Sequence, residues 1–139
     1  MEITRGLAQF AVDASLEDFP AEAVQAAKAA ILDCAGCILA GSREPLANVL
    51  CDFVKETGGQ PQATVVGRGF KTSAPNAALV NGAMGPALDY DDIARLIKGH
   101  PSVVLLPPAL AAGELAGASG REVLLAYILG FEVASSIGA

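Results

Sequence analysis

The sequence predicts an all-α, bundle-like fold with one short extended segment. Apolar residues recur at spacings of three and four along most of the 139 residues, which is the pattern of helices with one buried face. Residue types that begin and end helices stand at the edges of these apolar stretches. A single short run has the β-branched composition of a strand. We therefore expect one helical unit without repeats or linkers.

The first two helices are predicted in the N-terminal third. A short helix covers about Thr4 to Ala14, and Ser15 to Phe19 forms the turn after it. The second helix runs from Pro20 to Ala40, because one apolar stripe continues along its whole length. Proline suits the first turn of a helix, and Gly41 suits the left-handed position just past its end.

A third helix and the extended segment follow. The helix is predicted from Pro45 to about Thr57, where two glycines stop it. Gln62 to Val66 is short and β-branched, and it is the only convincing strand signal. Because one strand cannot form a sheet, this segment must pair elsewhere or remain extended.

Three further helices are predicted in the C-terminal half. Ala74 to Leu88 is rich in alanine, but its glycines and proline weaken intrinsic helicity, so tertiary contacts must hold it. In the next helix, Pro101 to Ala116, two adjacent prolines either begin or kink the helix. A capping box from Ser119 to Glu122 precedes the last apolar run, Val123 to Ile137.

The acidic and apolar composition narrows the function classes. Hydrophobic residues make up 53% and charged residues 17%, which excludes an intrinsically disordered chain. A net charge of −6 with scattered basic residues argues against nucleic acid or an anionic membrane as a partner. The two longest uncharged stretches, Thr72 to Leu88 and Pro101 to Gly113, are interrupted by glycine and proline and do not predict a membrane span. The N-terminus lacks the pattern of a secretion signal, so we expect a cytoplasmic protein.

The three cysteines are expected to be free thiols in a reducing compartment. Cys34 and Cys37 form a C-x-x-C that could be a redox pair or half of a zinc site. They lie within the second predicted helix, without a second such pair and without a nearby histidine. The favoured interpretation is therefore two small apolar side chains in the core.

One polar segment stands apart from the rest of the chain. Asp89, Asp91 and Asp92 lie at the carboxyl end of a predicted helix, where the helix dipole disfavours each negative charge by about 0.3–1 kcal/mol. Stability alone does not favour this placement. The single histidine, His100, follows between a glycine and a proline that restrict its backbone. If a carboxylate meets the ring, the pair can act as an acid or base near neutral pH.

Other interpretations of this segment stay open on the residues alone. The aspartates can cap the loop and solvate its surface while His100 caps the next helix, which is ordinary turn chemistry. Three aspartates and a histidine can also bind Mg²⁺ or Mn²⁺, although the glycine turn and terminal glutamate of a calcium-binding loop are missing. Gly67 to Thr72 does not meet the spacing of a phosphate-binding loop.

Several short motifs occur in a fixed order along almost the whole chain. They are Ile31-Leu-Asp33 with Leu39-Ala-Gly41, Val65-Val-Gly67, Ala77 to Ala83, Ala87 to Asp92, Gly99 to Ser102 with Leu106-Pro107, and Ala126 to Ala134. In this order they resemble the N-terminal part of the MmgE/PrpD family, which includes 2-methylcitrate dehydratase, cis-aconitate decarboxylase and iminodisuccinate epimerase. No single motif is specific for a family, but the ordered set is.

The resemblance implies an acid–base lyase or isomerase that acts on small di- or tricarboxylates, with no organic cofactor and no obligatory metal. It also implies a large helical domain, a smaller α+β lid, an active site between the two, and usually a dimer. Residues 1–139 would be the N-terminal portion of the helical domain, without the lid.

The resemblance assigns roles to single residues. The first aspartate of the family's Asp-aromatic-Asp-Asp motif falls on Asp89, which would orient or polarise the substrate. The histidine of the His-Pro-Ser motif falls on His100, which would bind a carboxylate or move a proton. Where the family commonly has threonine after the paired aspartates, this chain has Ile93, which has no donor. The remaining expected residues are Arg95, Lys98 and Ser102 for substrate binding and Asn81 and Asp92 for structural support, with no metal ligand.

Two functions follow from these residues. The first is that of the N-terminal segment of a 2-methylcitrate dehydratase-like lyase, whose other catalytic residues come from later segments. The chain is then expected to be a fragment, a truncated reading frame or one piece of a split enzyme. The alternative is a catalytically inactive, truncated helical module that associates with itself or with the missing remainder through exposed apolar patches. A C-x-x-C redox protein would require a thiol with a depressed pKa.

Overall fold

The computed structural model describes residues 2–138, which form six α-helices, one β-hairpin and two short 3₁₀ helices. The elements are α1 (Glu2–Asp13), α2 (Ala21–Gly41), α3 (Pro45–Thr57), β1 (Ala63–Val65), β2 (Phe70–Thr72), α4 (Ala74–Met84), α5 (Pro101–Ala116) and α6 (Gly120–Gly138), with 3₁₀ helices at Leu16–Asp18 and Gly85–Leu88. The predicted all-α class with one short extended segment is confirmed.

The end of α2 differs from the prediction, because Gly41 lies inside the helix and not in a left-handed position after it. Ser42 follows with a φ of −62°. A Cβ at Gly41 would lie 1.9 Å from the carbonyl oxygen of Met84. The glycine is therefore required by the close approach of α2 to the end of α4, not by its own backbone conformation.

The predicted strand pairs with a neighbour that the sequence did not indicate. β1 and β2 are antiparallel, with Ala63 opposite Thr72. The turn between them holds Gly67 and Gly69 at φ of +70° and +72°, in the left-handed region that glycine adopts without strain. β2 has only three residues, which is too short to show alternating hydrophobicity in the sequence.

Asn81 joins the hairpin to α4. Its Oδ1 accepts a hydrogen bond from the Val66 N–H at 3.0 Å, and its Nδ2 donates to the Thr64 carbonyl at 2.9 Å. The side chain is buried, where unpaired amide groups would be costly. Asn81 therefore supports the hairpin through these two bonds.

α4 ends sooner than predicted, at Met84, and Gly85–Leu88 continue as a 3₁₀ helix. Pro86 has no N–H to donate to the carbonyl four residues earlier, so the α-helical ladder loses a bond there. α5 packs closely on this end, since a Cβ at Gly85 would lie 2.5 Å from Cγ1 of Val103. α5 continues through its two adjacent prolines, so they do not begin the helix.

Two capping boxes mark helix starts. The predicted box before α6 is present, with the N–H and Oγ of Ser119 each 2.7 Å from Oε2 of Glu122. A second box, which the sequence analysis did not predict, lies at Ser15, whose N–H donates to Oδ2 of Asp18 at 2.7 Å. Both boxes satisfy amide groups that lack partners within the helix.

The core lies among the facing surfaces of α2 to α6 and β1, and α1 contributes no buried residue. The bulkiest wholly buried apolar side chains are Ile38, Met84, Leu106, Val54, Val65 and Val80. Other large apolar side chains remain exposed, among them Leu32 at 76% and Val104 at 69%. The packing of the described residues therefore leaves part of the apolar surface uncovered.

α2 is long and apolar enough, by length and composition alone, to cross a membrane, with a mean hydropathy of 1.5 over its most apolar window. Helices of ordinary protein cores meet the same criteria. Here Ala27, Cys34 and Ile38 of α2 are buried in the core described above.

Candidate active site

The candidate site is the segment that connects α4 to α5. Asp89 begins it in the left-handed conformation with φ of +57°, and Lys98 turns the backbone again with φ of +56°. Between them, the N–H of Ala94 donates to the carbonyl of Gly99 at 3.0 Å in a single antiparallel bridge. The loop therefore closes on itself and places His100 at the N-terminal end of α5.

Asp91 and His100 form a close contact that we call the Asp91 pair. Oδ2 of Asp91 lies 3.0 Å from Nδ1 of His100, and the Asp91 side chain is fully buried while that of His100 is 39% exposed. The oxygen lies out of line with the Nδ1–H direction, and neither Asp91 oxygen has a hydrogen-bond partner within residues 2–138. Nδ1 is buried against Asp91, so the exposed part of the ring carries Nε2 towards the surface. Such a ring can exchange a proton through Nε2.

Asp92, the next residue, belongs to a hydrogen-bonded chain that we call the Asp92 network. Its carboxylate accepts bonds from the backbone N–H of Ser102 at 3.1 Å and from Ser102 Oγ at 2.5 Å. Ser102 Oγ also lies 2.6 Å from the Tyr127 hydroxyl. The single hydroxyl hydrogen of Ser102 goes to the carboxylate, so Tyr127 is the donor to Ser102. The network ties the loop to α5 and α6, and it caps one free amide in the first turn of α5.

Burial keeps the Tyr127 phenol in its protonated form. Burial raises the pKa of Tyr127, the bond to Ser102 partly opposes this, and the charge of Asp92 adds to the rise. The hydroxyl is therefore a hydrogen-bond donor at neutral pH.

The C-x-x-C thiols lie beside the same loop and are not activated. Burial, with the negative charge of Asp92 second, raises the pKa of Cys34 to about 12. Burial also raises the pKa of Cys37, and both thiols are free and buried. A redox pair needs a depressed pKa, so these thiols are apolar core side chains, as the favoured interpretation predicted. Within residues 2–138, no three His, Cys, Asp or Glu side chains converge in a way that could hold a metal ion.

The structure divides the site residues expected from sequence into separate groups. Ser102 is almost wholly buried and bonded to Asp92, and His100 contacts Asp91. Three others are exposed, and their side chains make no hydrogen bond or ion pair within the described residues: Asp89, Arg95 and Lys98. The roles assigned to all of these residues stay predictions.

Sequence reasoning missed Asp91 and Tyr127. Asp91 is one of three neighbouring aspartates, and nothing in the spacing shows which of them meets the ring. Tyr127 lies in the apolar run of α6, where a buried tyrosine hydroxyl usually requires a hydrogen-bond partner. The need for such a partner was the one signal in the sequence that Tyr127 takes part in a polar network.

An apolar groove of about 340 Å³ adjoins the Asp92 network. Alanines of α2, Ile93 of the loop, and Ile128 and Phe131 of α6 line it, with Asp92 and Tyr127 among its polar lining residues. His100 does not line this groove. The groove and the surface to which Nε2 opens are therefore separate features of the loop.

A helical fold that holds a buried carboxylate against a partly exposed imidazole defines a protein with a candidate acid–base site. The sequence pattern of the MmgE/PrpD N-terminal domain matches residues 5–139. The chain belongs to the MmgE/PrpD family and corresponds to its N-terminal domain, which confirms the family expected from the motifs.

Two fungal relatives extend this comparison. The cis-aconitate decarboxylase-like protein oryM of Aspergillus oryzae is 28% identical over 144 residues, which cover 99% of this chain and 30% of that protein. The cis-aconitate decarboxylase of Aspergillus terreus is 28% identical over 141 residues, which cover 98% of this chain and 29% of that protein. The chain thus spans about 30% of the length of the curated relatives that it matches.

Proposed function

We propose that these residues form the N-terminal part of a lyase or isomerase that acts by acid–base chemistry on small di- or tricarboxylates. The observation that carries the proposal is the Asp91 pair, in which a buried carboxylate lies against Nδ1 of His100 and leaves Nε2 towards the surface. Membership of the MmgE/PrpD family and the two cis-aconitate decarboxylase-type relatives support the substrate class. A 2-methylcitrate dehydratase-like elimination fits this chemistry, because it requires removal of a proton beside a carboxylate.

The loop offers a role for each exposed polar residue. His100 would take or deliver the proton through Nε2, and Asp89 would orient or polarise the substrate. Arg95 and Lys98 are exposed cations on the same loop, and they would attract substrate carboxylates in a chain whose net charge is −6. They would replace the hydroxyl that Ile93 cannot supply.

The proposed site needs groups beyond those described. His100 is the one histidine of these 139 residues, and a complete elimination needs both an acid and a base. We propose that the remaining groups come from the rest of the polypeptide or from a second subunit of a homodimer, since the relatives are much longer than this chain.

The single histidine permits a direct test of substrate class. We expect cis-aconitate and 2-methylcitrate to shift the imidazole NMR signals of His100 in a saturable way, while acetate at equal ionic strength does not. The double variant Arg95→Gln with Lys98→Gln should weaken this binding, and the control double variant Lys28→Gln with Arg43→Gln should not. Failure of every polycarboxylate to shift the ring signals, in both the chain and the longest polypeptide that carries it, would contradict the proposal.

A second candidate function rests on the exposed apolar residues. Leu32 of α2 and Val104 of α5 are 76% and 69% exposed, which favours a helical module that associates with itself or with the remainder of its domain. Sedimentation should then show association of the chain, reduced by Leu32→Glu but not by Lys28→Glu on the same helix. A dispersed monomer at high concentration is the result that would count against it.

A further inference from the structure

Burial of the Asp91 carboxylate lowers the stability of the fold. Its side chain is fully buried, and neither oxygen has a hydrogen bond within residues 2–138. A buried carboxylate loses its hydration and normally recovers the loss through hydrogen bonds or a charged partner. Asp91 has no hydrogen bond among the described residues to offset this loss of hydration, so the stability of the loop does not explain why the carboxylate is buried.

Among the described groups near Asp91, one can offset the lost hydration of its carboxylate. Cys34 and Cys37 lie close enough to feel its charge, but their raised pKa values keep both thiols neutral at ordinary pH. Lys98 and Arg95, the cations of the same loop, form no ion pair with it. Nδ1 of His100, at 3.0 Å, is the one ionisable nitrogen within ion-pair distance among the described residues.

The contact has a direct consequence for the position of the imidazole proton. A neutral imidazole carries its hydrogen on one nitrogen and accepts on the other, and an ionised carboxylate can only accept. A hydrogen on Nδ1 therefore lies beside an acceptor 3.0 Å away, whereas a bare Nδ1 would place its lone pair beside a buried negative charge. The imperfect alignment does not remove this preference, since hydrogen bonds in unliganded sites are often poorly aligned.

We infer that Asp91 is a positioning residue that holds the hydrogen of neutral His100 on Nδ1 and thereby presents Nε2, without a proton, at the surface. An unprotonated Nε2 is the form that can remove a proton from a substrate. The assignment of the tautomer follows from the geometry in this chain, and only its catalytic consequence rests on the proposed function. Asp89, which the resemblance expects to orient or polarise the substrate, is exposed on the same loop.

The test uses the chain with ¹⁵N-labelled histidine, whose single imidazole gives one pair of ring nitrogen signals. At a pH where the ring is neutral, we expect the wild-type chain to show a protonated Nδ1 and an unprotonated Nε2. In Asp91→Leu, which has no acceptor, the protonated Nε2 form that free imidazole prefers should gain in population. The neighbouring exposed carboxylate provides the matched control: Asp89→Asn should leave the tautomer unchanged.

The outcomes separate this inference from the proposed function. A protonated Nε2 in the wild-type chain overturns the inference whether or not any variant folds, and so does an unchanged tautomer in a folded Asp91→Leu variant. If the tautomer is as expected but polycarboxylates never reach His100, the positioning role stands and the proposed function fails. If polycarboxylates bind while the wild-type ring is protonated on Nε2, the proposed function stands and the positioning role fails.

Discussion

Asp91 and Asp92 are adjacent in the sequence and have opposite surroundings. Asp92 accepts two hydrogen bonds from Ser102, which in turn accepts one from Tyr127. Asp91 is fully buried at its side chain, and its oxygens have no hydrogen bond in the described part of the chain. Its close polar neighbour is Nδ1 of His100.

The difference separates a carboxylate that stabilises the fold from one that costs stability. The Asp92 network satisfies a buried charge and joins the loop to two helices, which is how a structural carboxylate contributes. The Asp91 pair leaves a charge poorly compensated, and strained or poorly solvated charged groups concentrate at functional sites. One loop therefore combines an anchor with a candidate acid–base group.

The largest expected effect comes from breaking the Asp91 pair at the histidine. In the longest native polypeptide that carries this chain, His100→Gln should lower lyase turnover by about 100- to 10,000-fold, the usual contribution of a general acid or base. Steady-state kinetics on cis-aconitate and 2-methylcitrate measure this. The control is the double variant His100→Gln with Asp91→Asn. Because it also lacks the buried charge, it should be more stable than His100→Gln alone, but its turnover should stay equally low. Turnover near the wild-type rate in either variant would remove His100 from the mechanism.

Removing the centre of the Asp92 network should mainly affect stability. Ser102→Ala removes the hydroxyl that Asp92 and Tyr127 share and leaves Asp92 only the bond from the backbone N–H, so we expect the free energy of unfolding to fall by about 2–3 kcal/mol. Chemical denaturation measures the change, and Ser136→Ala, at an exposed position of α6, should change it by less than about 0.5 kcal/mol. Equal effects of the two substitutions would mean that the network does not anchor the loop.

Removing the Tyr127 hydroxyl, at the outer end of the Asp92 network, should lower stability less than removing the Ser102 hydroxyl. Tyr127→Phe removes one neutral donor and keeps the buried ring, so the expected loss is about 0.5–1.5 kcal/mol in the free energy of unfolding. In the double variant with Ser102→Ala the two losses should not add, because both substitutions remove the same bond. Strict additivity in denaturation measurements would show that the two hydroxyls are not coupled.

The smallest effect at neutral pH belongs to Cys34. The pKa of this thiol is raised from 9.0 to about 12 by burial and by nearby negative charge. A raised folded-state pKa contributes stability that is complete below the unfolded value and is lost as the pH rises towards the folded value. We therefore expect stability to fall between pH 9.0 and about 12, and less steeply in Cys34→Ala. Thermal unfolding across this pH range checks it, and identical slopes for both proteins would refute the burial effect.

The helices could be predicted from local signals in the sequence, but the close contacts between them could not. α3 was predicted from Pro45 to Thr57 and has those bounds, because its apolar spacing, initial proline and terminal glycines all act locally. Gly41 was misassigned because the reason for a glycine there is the Met84 carbonyl, which lies more than forty positions along the chain. β2 was missed because its three residues form a strand only through pairing with β1.

The sequence indicated the segment that carries the Asp91 pair, but not which of its side chains meet. The density of aspartates and the lone histidine pointed to residues 89–100 without any structure. Which carboxylate meets the ring depends on how the left-handed turn at Asp89 and the Ala94–Gly99 bridge fold the loop. That geometry buries Asp91 and exposes Asp89, and it is set by tertiary contacts that spacing does not encode.

The contrast between the two neighbouring aspartates is tested most directly by the free energies of unfolding of Asp91→Asn and Asp92→Asn, measured side by side at mildly alkaline pH. Asp92→Asn loses part of a satisfied, charge-assisted network and should cost about 1.5–3 kcal/mol. Asp91→Asn removes a buried charge that lacks hydrogen bonds, so its effect should lie within about 0.5 kcal/mol of zero or be stabilising. A loss for Asp91→Asn as large as that for Asp92→Asn would show that Asp91 is a structural carboxylate, which contradicts the role assigned to it here.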